Sequence, residues 1–296
     1  LNLMEKNIKN NLETIINCLY SSNIAYLEPE TIVNIWEKNI PDKKNFINLL
    51  DNSILNNNDD EIYCNSYKFL NNINIIKKPY YITKKRNNIT YCQAVFFETK
   101  NKLIISCNGL KTIKDLYYCL KFNKTDVNHL IINNENISIH NGFLDLYQLI
   151  QNYILIKCYN YIDLYPNREI VFCGHSLGGA LSSIAALNLK IIKNNYKITS
   201  CTFGTPKIGN KNFTKSFNKY IKNSFVFINH DDPIPILPYS FNYEYTDCVI
   251  YMNKDNEVIY NNNINTTFNS LFCLMSKYFK THKMLYYYHQ IIKNFT

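Results

Sequence analysis

The stretch Glu169-Ile-Val-Phe-Cys-Gly-His-Ser-Leu-Gly-Gly-Ala-Leu-Ser-Ser-Ile-Ala-Ala-Leu-Asn-Leu189 changes character in its middle. Residues 170–173 form a short apolar run of strand formers. Residues 178–192 read as a helix, with small side chains (Gly179, Ala180, Ser182, Ser183, Ala185, Ala186) where it must approach other backbone closely. Between them lies Gly174-His175-Ser176-Leu177-Gly178, a G-x-S-x-G with a strand before it and a helix after it. That context makes a sharp turn that lifts a serine hydroxyl clear of the backbone. The flanking glycines remove Cβ atoms that would collide across the turn. The helix N-terminus offers free N–H groups and a positive dipole end to an anion forming beside Ser176. The whole chain holds only 7 glycines, and Gly174, Gly178 and Gly179 are all here. The bland alternative, a glycine-rich turn in an ordinary strand–helix unit, leaves that concentration unexplained.

Outward from this turn, strands alternate with helices. Residues 91–98 and 102–107 read as adjacent strands with a short turn between them, and 112–122 as a helix capped by Thr112. Residues 140–143 form a turn into a long helix over 144–164. Residues 196–203 form a strand, followed by Gly204-Thr-Pro-Lys-Ile-Gly209 and a helix through Phe217 and Tyr220. A strand over 224–229 ends in His230-Asp-Asp-Pro-Ile-Pro-Ile-Leu-Pro238. Residues 247–253 and 257–260 read as a hairpin. One helix follows Thr267 and another covers 284–292. At the N-terminus, 4–20 reads as one amphipathic helix, 22–30 as a turn, and a second helix runs through Ile35 and Trp36. Residues 40–80 read as connecting loop. Residues 77–88, basic with Tyr80 and Tyr81, read as a solvated approach to the first strand, with contact to an anionic surface as the functional alternative. The expectation is an α/β fold with a mainly parallel central sheet and helices on both faces. One domain over 1–296 is expected, with 1–80 as an N-terminal helical and loop extension packed on it.

Of 296 residues 46% are hydrophobic, enough for a sizeable core. Asn, Ile, Lys and Tyr are in excess, while Arg86 and Arg168 are the only arginines. The favoured residues have A/T-rich codons, so the net charge of +9 is read as lysine on a solvated surface, and no nucleic-acid partner is expected. The 10 cysteines include no C-x-x-C and no Cys/His cluster at metal spacing, so neither a metal nor another cofactor is expected. Cys92, Cys107, Cys173, Cys201 and Cys248 sit in apolar runs as small buried hydrophobes. Cys18, Cys64, Cys119, Cys158 and Cys273 remain for surface disulfides in a secreted protein. No apolar run is long enough to span a membrane. The first residue is Leu1, which suits a processed form whose signal peptide is gone. The N-x-S/T sequons are about as frequent as so much asparagine produces by chance.

A serine becomes a nucleophile when a base takes its proton and an acid orients that base. In α/β-hydrolase folds the chain order is serine, acid, histidine. Asp231 and Asp232 both stand at the end of a strand after the turn, in a loop stiffened by Pro233, Pro235 and Pro238; Asp232 is preferred. Of the histidines downstream of Ser176, His282 is preferred as base because it precedes the last helix. His289 lies inside that helix, and His230 precedes the acid. Two N–H groups are needed for the oxyanion. Leu177 supplies one, and the loop Asn108-Gly109-Leu110 supplies the other through Leu110.

These segments resemble the class 3 lipase family, the fungal-type triacylglycerol lipases. The similar stretches are AYLEPETIVNIW (25–36), ISCNGLKTIKDL (105–116), HNGFLDLY (140–147), VFCGHSLGGALSSIAALNL (171–189), TFGTPKIGNKNF (202–213), INHDDPIPILP (228–238) and HKMLYYY (282–288), in family order. The resemblance implies an α/β-hydrolase fold with Ser176, Asp232 and His282 as catalytic triad, Leu110 and Leu177 as oxyanion donors, and residues 111–122 as a lid. It implies hydrolysis of acylglycerol esters through an acyl-enzyme, a lipid ester substrate at a lipid–water interface, peripheral contact with a membrane or lipid droplet, and a secreted or endomembrane location. The family carries Arg-Gly followed by Ser or Thr in the oxyanion loop; here Leu110 keeps the N–H and lacks the hydroxyl. Loss of one oxyanion donor costs on the order of 2.7–4 kcal/mol. The alternatives are a phospholipase or small-ester esterase with the same triad and, from another class, a lipase-like binding module with weak catalysis.

Overall fold

The computed structural model describes residues 2–37, 75–86, 89–109, 124–127, 136–240, 242–246, 248–253, 257–260 and 281–296. Three helices come first, α1 (Asn2–Asn10), α2 (Leu12–Ile24) and α3 (Pro29–Trp36). Strands β1 (Tyr80–Arg86), β2 (Ile89–Glu98), β3 (Lys102–Cys107), β4 (Lys124–Asp126) and β5 (Ser138–His140) follow. The remaining elements are α4 (Asn141–Leu164), β6 (Glu169–His175), α5 (Leu177–Ile192), β7 (Ile198–Phe203), α6 (Lys211–Tyr220), β8 (Asn223–Asn229), β9 (Val249–Met252), β10 (Val258–Tyr260) and α7 (Met284–Phe295). The helices expected over 112–122 and after Thr267, Leu110, and Cys64, Cys119 and Cys273 lie outside the described residues.

One sheet runs in the order β1-β2-β3-β6-β7-β8-β9-β10. Its centre, β3-β6-β7-β8-β9, is parallel. Antiparallel partners close both ends, β1 and β2 on one side and β10 on the other. The alternation of side chains along each strand sorts them between two cores. Ile170 and Phe172 of β6 join Leu103 and Ile105 of β3 in a core capped by α4, α5 and α6, through Ile150, Leu181 and Phe213 among others. Val171 and Cys173, one residue out of phase, join Ile104, Phe225 and Phe227 in the opposite core, capped by Ile15, Cys18 and Leu19 of α2 and by Tyr287 and Ile291 of α7. Every residue of β6 is therefore buried, as a strand covered on both faces must be. The fold is that of the α/β-hydrolases.

Several expectations are corrected. The single helix over 4–20 breaks at Asn11, which stands before α2 with φ −112° and ψ 10° and turns its side-chain amide back to the Asn7 carbonyl at 2.8 Å. Asparagine competes locally with the helical backbone, and three lie between positions 7 and 11. Residues 80–86 form an edge strand paired with β2 from Tyr80↔Phe96 to Arg86↔Ile89. Polar edge strands lack apolar alternation, and here the backbone ladder carries the pairing. Cys18 and Cys158, offered for surface disulfides, are fully buried thiols with no bridge, because each sits on the core-facing side of its helix. Position 140 is the last residue of β5 and stands directly before α4.

Candidate active site

The turn between β6 and α5 places Ser176 at φ 58° and ψ −129°, a backbone region that costs a residue with a side chain about 1–3 kcal/mol. It is held there by its own N–H, which donates to the Phe203 carbonyl at 2.9 Å, and by the Gly179 N–H, which donates to the Ser176 carbonyl at 3.0 Å. A Cβ on Gly174 would run into the backbone of Gly178, and a Cβ on Gly178 would run into the Cys107 carbonyl and Asn108. The second contact seats the first turn of α5 against the end of β3, so Leu177 and the loop at Asn108 and Gly109 meet beside Ser176. Asn108 is fixed by β2: its N–H donates to the Gln93 carbonyl at 3.0 Å, and its Oδ1 accepts from the Gln93 N–H at 2.7 Å.

Asp232 follows β8 with its side chain wholly buried. Nδ1 of His282 lies 2.9 Å from both of its oxygens. Tyr287 donates its hydroxyl to Oδ2 at 2.5 Å, and the Ile234 N–H donates to Oδ1 at 2.9 Å. Burial, followed by the adjacent carboxylate charge, pushes the Tyr287 hydroxyl well above the usual phenol range, so it stays a donor. Gly204, at φ +58°, leaves the space this cluster occupies. A Cβ there would stand 2.8 Å from Asp232 Oδ2, 2.9 Å from the Tyr287 oxygen and 3.1 Å from His282 Cε1. Gly204 follows Phe203, whose carbonyl holds Ser176, so the end of β7 joins the serine turn to Asp232 and His282. The His175 and His282 ring centres are 4.4 Å apart, which sets His282 beside the residue preceding Ser176. Among the described residues, Ser176 Oγ donates to no partner; catalytic hydrogen bonds commonly tighten only when substrate arrives.

The other candidates are engaged elsewhere. His230 lies 3.0 Å through Nε2 from Asp231 and shares its Nδ1 with the Tyr251 hydroxyl at 2.5 Å. His289 is exposed on α7, with its ring against Tyr288. Leu177 is buried at the start of α5. Sequence reasoning assigned no role to Tyr287, Tyr26, Gln93 or His175, although three of the four lie in the quoted motifs.

A partly open pocket of about 20 Å³, large enough for one water, lies among Thr202, Thr205, Lys207, Glu244 and Tyr245. Among the described residues no group of three His, Cys, Asp or Glu side chains is set to hold a metal ion, and no helix is long and apolar enough to cross a membrane.

The family model described as lipase (class 3) matches residues 104–242, which contain the serine turn and Asp232. Over this stretch the chain is similar to the class 3 lipase family. A secreted mono- and diacylglycerol lipase 2 from Gibberella zeae is 30% identical to this chain over 115 residues, covering 36% of the chain and 28% of that relative. Secreted mono- and diacylglycerol lipase 1 from Fusarium solani is 30% identical over 109 residues, covering 36% and 32%. The matched stretch thus spans about a third or less of the length of these relatives. Among solved structures, a triacylglycerol lipase whose catalytic centre is a serine protease triad aligns with a TM-score of 0.61 at 18% identity, over 82% of this chain and 80% of that one. The Rhizomucor miehei triacylglyceride lipase aligns with a TM-score of 0.58 at 19% identity, over 70% and 81%. At these identities the structural likeness speaks for the fold.

Proposed function

We propose that this chain is a serine hydrolase of acylglycerol esters of the class 3 lipase type. Ser176 Oγ attacks the ester carbonyl, and His282 Nε2 takes its proton. Asp232 holds the His282 tautomer through Nδ1 and balances the imidazolium that forms. The Leu177 N–H stabilises the oxyanion, with Leu110 proposed as second donor. The proton returns to the leaving glyceride hydroxyl, and water then releases the fatty acid from the acyl-enzyme by the same steps in reverse. The observation that carries this reading is the His282–Asp232 pair, its carboxylate wholly buried and bound from three directions, beside a serine in a strained turn. The secreted mono- and diacylglycerol lipases among the relatives support acylglycerols as substrate class and a secreted location.

Contact with a lipid–water interface is part of the proposal. On α4, Leu149, Tyr153, Ile156 and Leu164 are exposed along one face. Lys84 stacks over Tyr153, and Lys157 over Tyr80, beside that face. Aromatic and aliphatic side chains edged by lysine suit a headgroup boundary.

The test is fatty-acid release from emulsified mono-, di- and triacylglycerol by the protein and by Ser176→Ala. Release by the first and none by the second is expected; equal release by both ends the proposal. Preference for phospholipid over acylglycerol in the same panel moves the substrate class to phospholipase, and saturation on dissolved short esters without a rise at the interface moves it to esterase.

A further inference from the structure

His175 is the variable position of the G-x-S-x-G motif, and its ring is used at both nitrogens. Nε2 lies 2.6 Å from the backbone carbonyl of His282. A carbonyl only accepts, so Nε2 carries the hydrogen. Nδ1 is then a lone pair in the neutral ring, and the Tyr26 hydroxyl, 2.8 Å away, donates to it. Burial, and after it the charge His282 acquires, hold the His175 ring well below the usual imidazole range. When His282 takes the serine proton, its neighbour at a ring distance of 4.4 Å therefore stays uncharged and keeps its donor on the same carbonyl.

The chain on both sides of Tyr26 is held by one side chain. The Gln93 amide donates to the carbonyls on either side of it, Ala25 at 2.8 Å and Leu27 at 2.9 Å. The backbone of the same Gln93 grips Asn108 through two hydrogen bonds, at 3.0 and 2.7 Å. The Tyr26 hydroxyl occupies the space a Cβ on Gly109 would need. One residue of β2 thus sets the distance between the oxyanion loop and a tyrosine that reaches, through His175, to the main chain of the base.

We infer that Tyr26 and His175 are positioning residues: Tyr26 fixes the Nε2–H tautomer of His175, and His175 holds the backbone of His282 in register with the oxyanion loop. The inference rests on the proposed triad. Neither side chain touches the reacting atoms. The rival explanation is plain stability, because the base is gripped a second way: Asn229 Nδ2 donates to the Thr281 carbonyl at 3.2 Å, and Thr281 Oγ1 donates to the Asp231 carbonyl at 2.9 Å.

The experiment measures kcat and KM on a soluble short-chain ester, fluorophosphonate labelling of Ser176, and thermal unfolding, for the unaltered protein, Tyr26→Phe, His175→Phe and His175→Gln. Small misplacements of catalytic groups cost about tenfold to a hundredfold in rate, so Tyr26→Phe and His175→Phe are expected to lose kcat and labelling rate in that range at unchanged KM. Gln can present a donor near the Nε2 position, so His175→Gln is expected to recover most of the loss. Rates within twofold of the unaltered protein for both phenylalanine variants overturn the inference. So does a loss that follows the fall in melting temperature and is not restored by Gln. Should His175→Phe fail to fold, Tyr26→Phe decides alone, since it removes one hydroxyl and keeps the ring. An unaltered protein that neither labels nor hydrolyses sinks the triad reading first, and this inference with it.

Discussion

Two His–Asp pairs stand at the end of β8, and they are built differently. His230 and Asp231 are sequence neighbours 3.0 Å apart, with side chains 30% and 26% exposed. His282 and Asp232 come from segments 50 residues apart, and their side chains are 14% and 0% exposed. Each pair has a tyrosine, on opposite partners. Tyr251 meets the histidine of the first, and Tyr287 donates to the acid of the second. An exposed ion pair is worth little in water, because solvent serves each partner almost as well. A buried carboxylate needs every donor it can find, and Asp232 has a histidine, a phenol and a backbone N–H. Charge and spacing along the chain do not distinguish adjacent aspartates; the surroundings do.

The sharpest way to break this comparison is to neutralise each acid in turn. Asp232→Asn is expected to lower kcat on the order of 10⁴-fold, the scale on which a serine triad depends on its acid. Asp231→Asn is expected to stay within about threefold, as a half-exposed pair of small energetic worth allows. Steady-state rates on one ester, with circular dichroism to confirm folding, check both; comparable losses would erase the distinction.

The two tyrosines give a smaller contrast. Tyr287→Phe strips a donor from a buried carboxylate and is expected to cost about 1–3 kcal/mol in denaturant unfolding. Tyr251→Phe, at the half-exposed pair, is expected to cost under about 0.5 kcal/mol, as for most surface substitutions. Equal midpoints and slopes for the two variants would contradict the burial argument.

A third histidine tests burial without an acid. His140 is buried with neither ring nitrogen bonded, stacked on Phe143 with ring centres 4.2 Å apart. Burial pulls its pKa from 6.5 down to about 4. The unfolded chain takes up a proton below 6.5 and the folded chain does not. Neutral His140 therefore stabilises the fold fully above that value, and the contribution is lost as pH falls from 6.5 through about 4. After allowance for solvent screening, the effect is on the order of 2 kcal/mol. Denaturant unfolding at pH 7.5 and pH 5 is expected to show it, and His140→Leu is expected to reduce the difference between the two.

The sheet was legible because its parallel strands are continuous apolar runs, and the serine turn because glycines are so scarce. A Cβ at Gly174 or Gly178 meets backbone, which is why those two positions admit nothing larger. The edge strand β1 was not legible, since Tyr80 to Arg86 carries no apolar alternation and depends on its ladder to β2. Nor was the break at Asn11, where asparagine side chains outcompete a helix pattern that runs on either side. The Tyr26–His175–His282 connection spans 149 and 107 residues, and nothing local in a tyrosine or glutamine announces such a partner. Leu110 and residues 111–122 fall outside the described residues, so the second oxyanion donor rests on the reading of the loop Asn108-Gly109-Leu110 and the lid on the resemblance.

The most direct measurement is the rate at which a fluorophosphonate labels Ser176 in the unaltered protein, in His282→Ala and in His230→Ala. Rapid labelling of the first and third, with almost none of the second, is the predicted result. Labelling that survives loss of His282, or disappears with His230, would mean that the buried pair beside the serine turn does not activate Ser176.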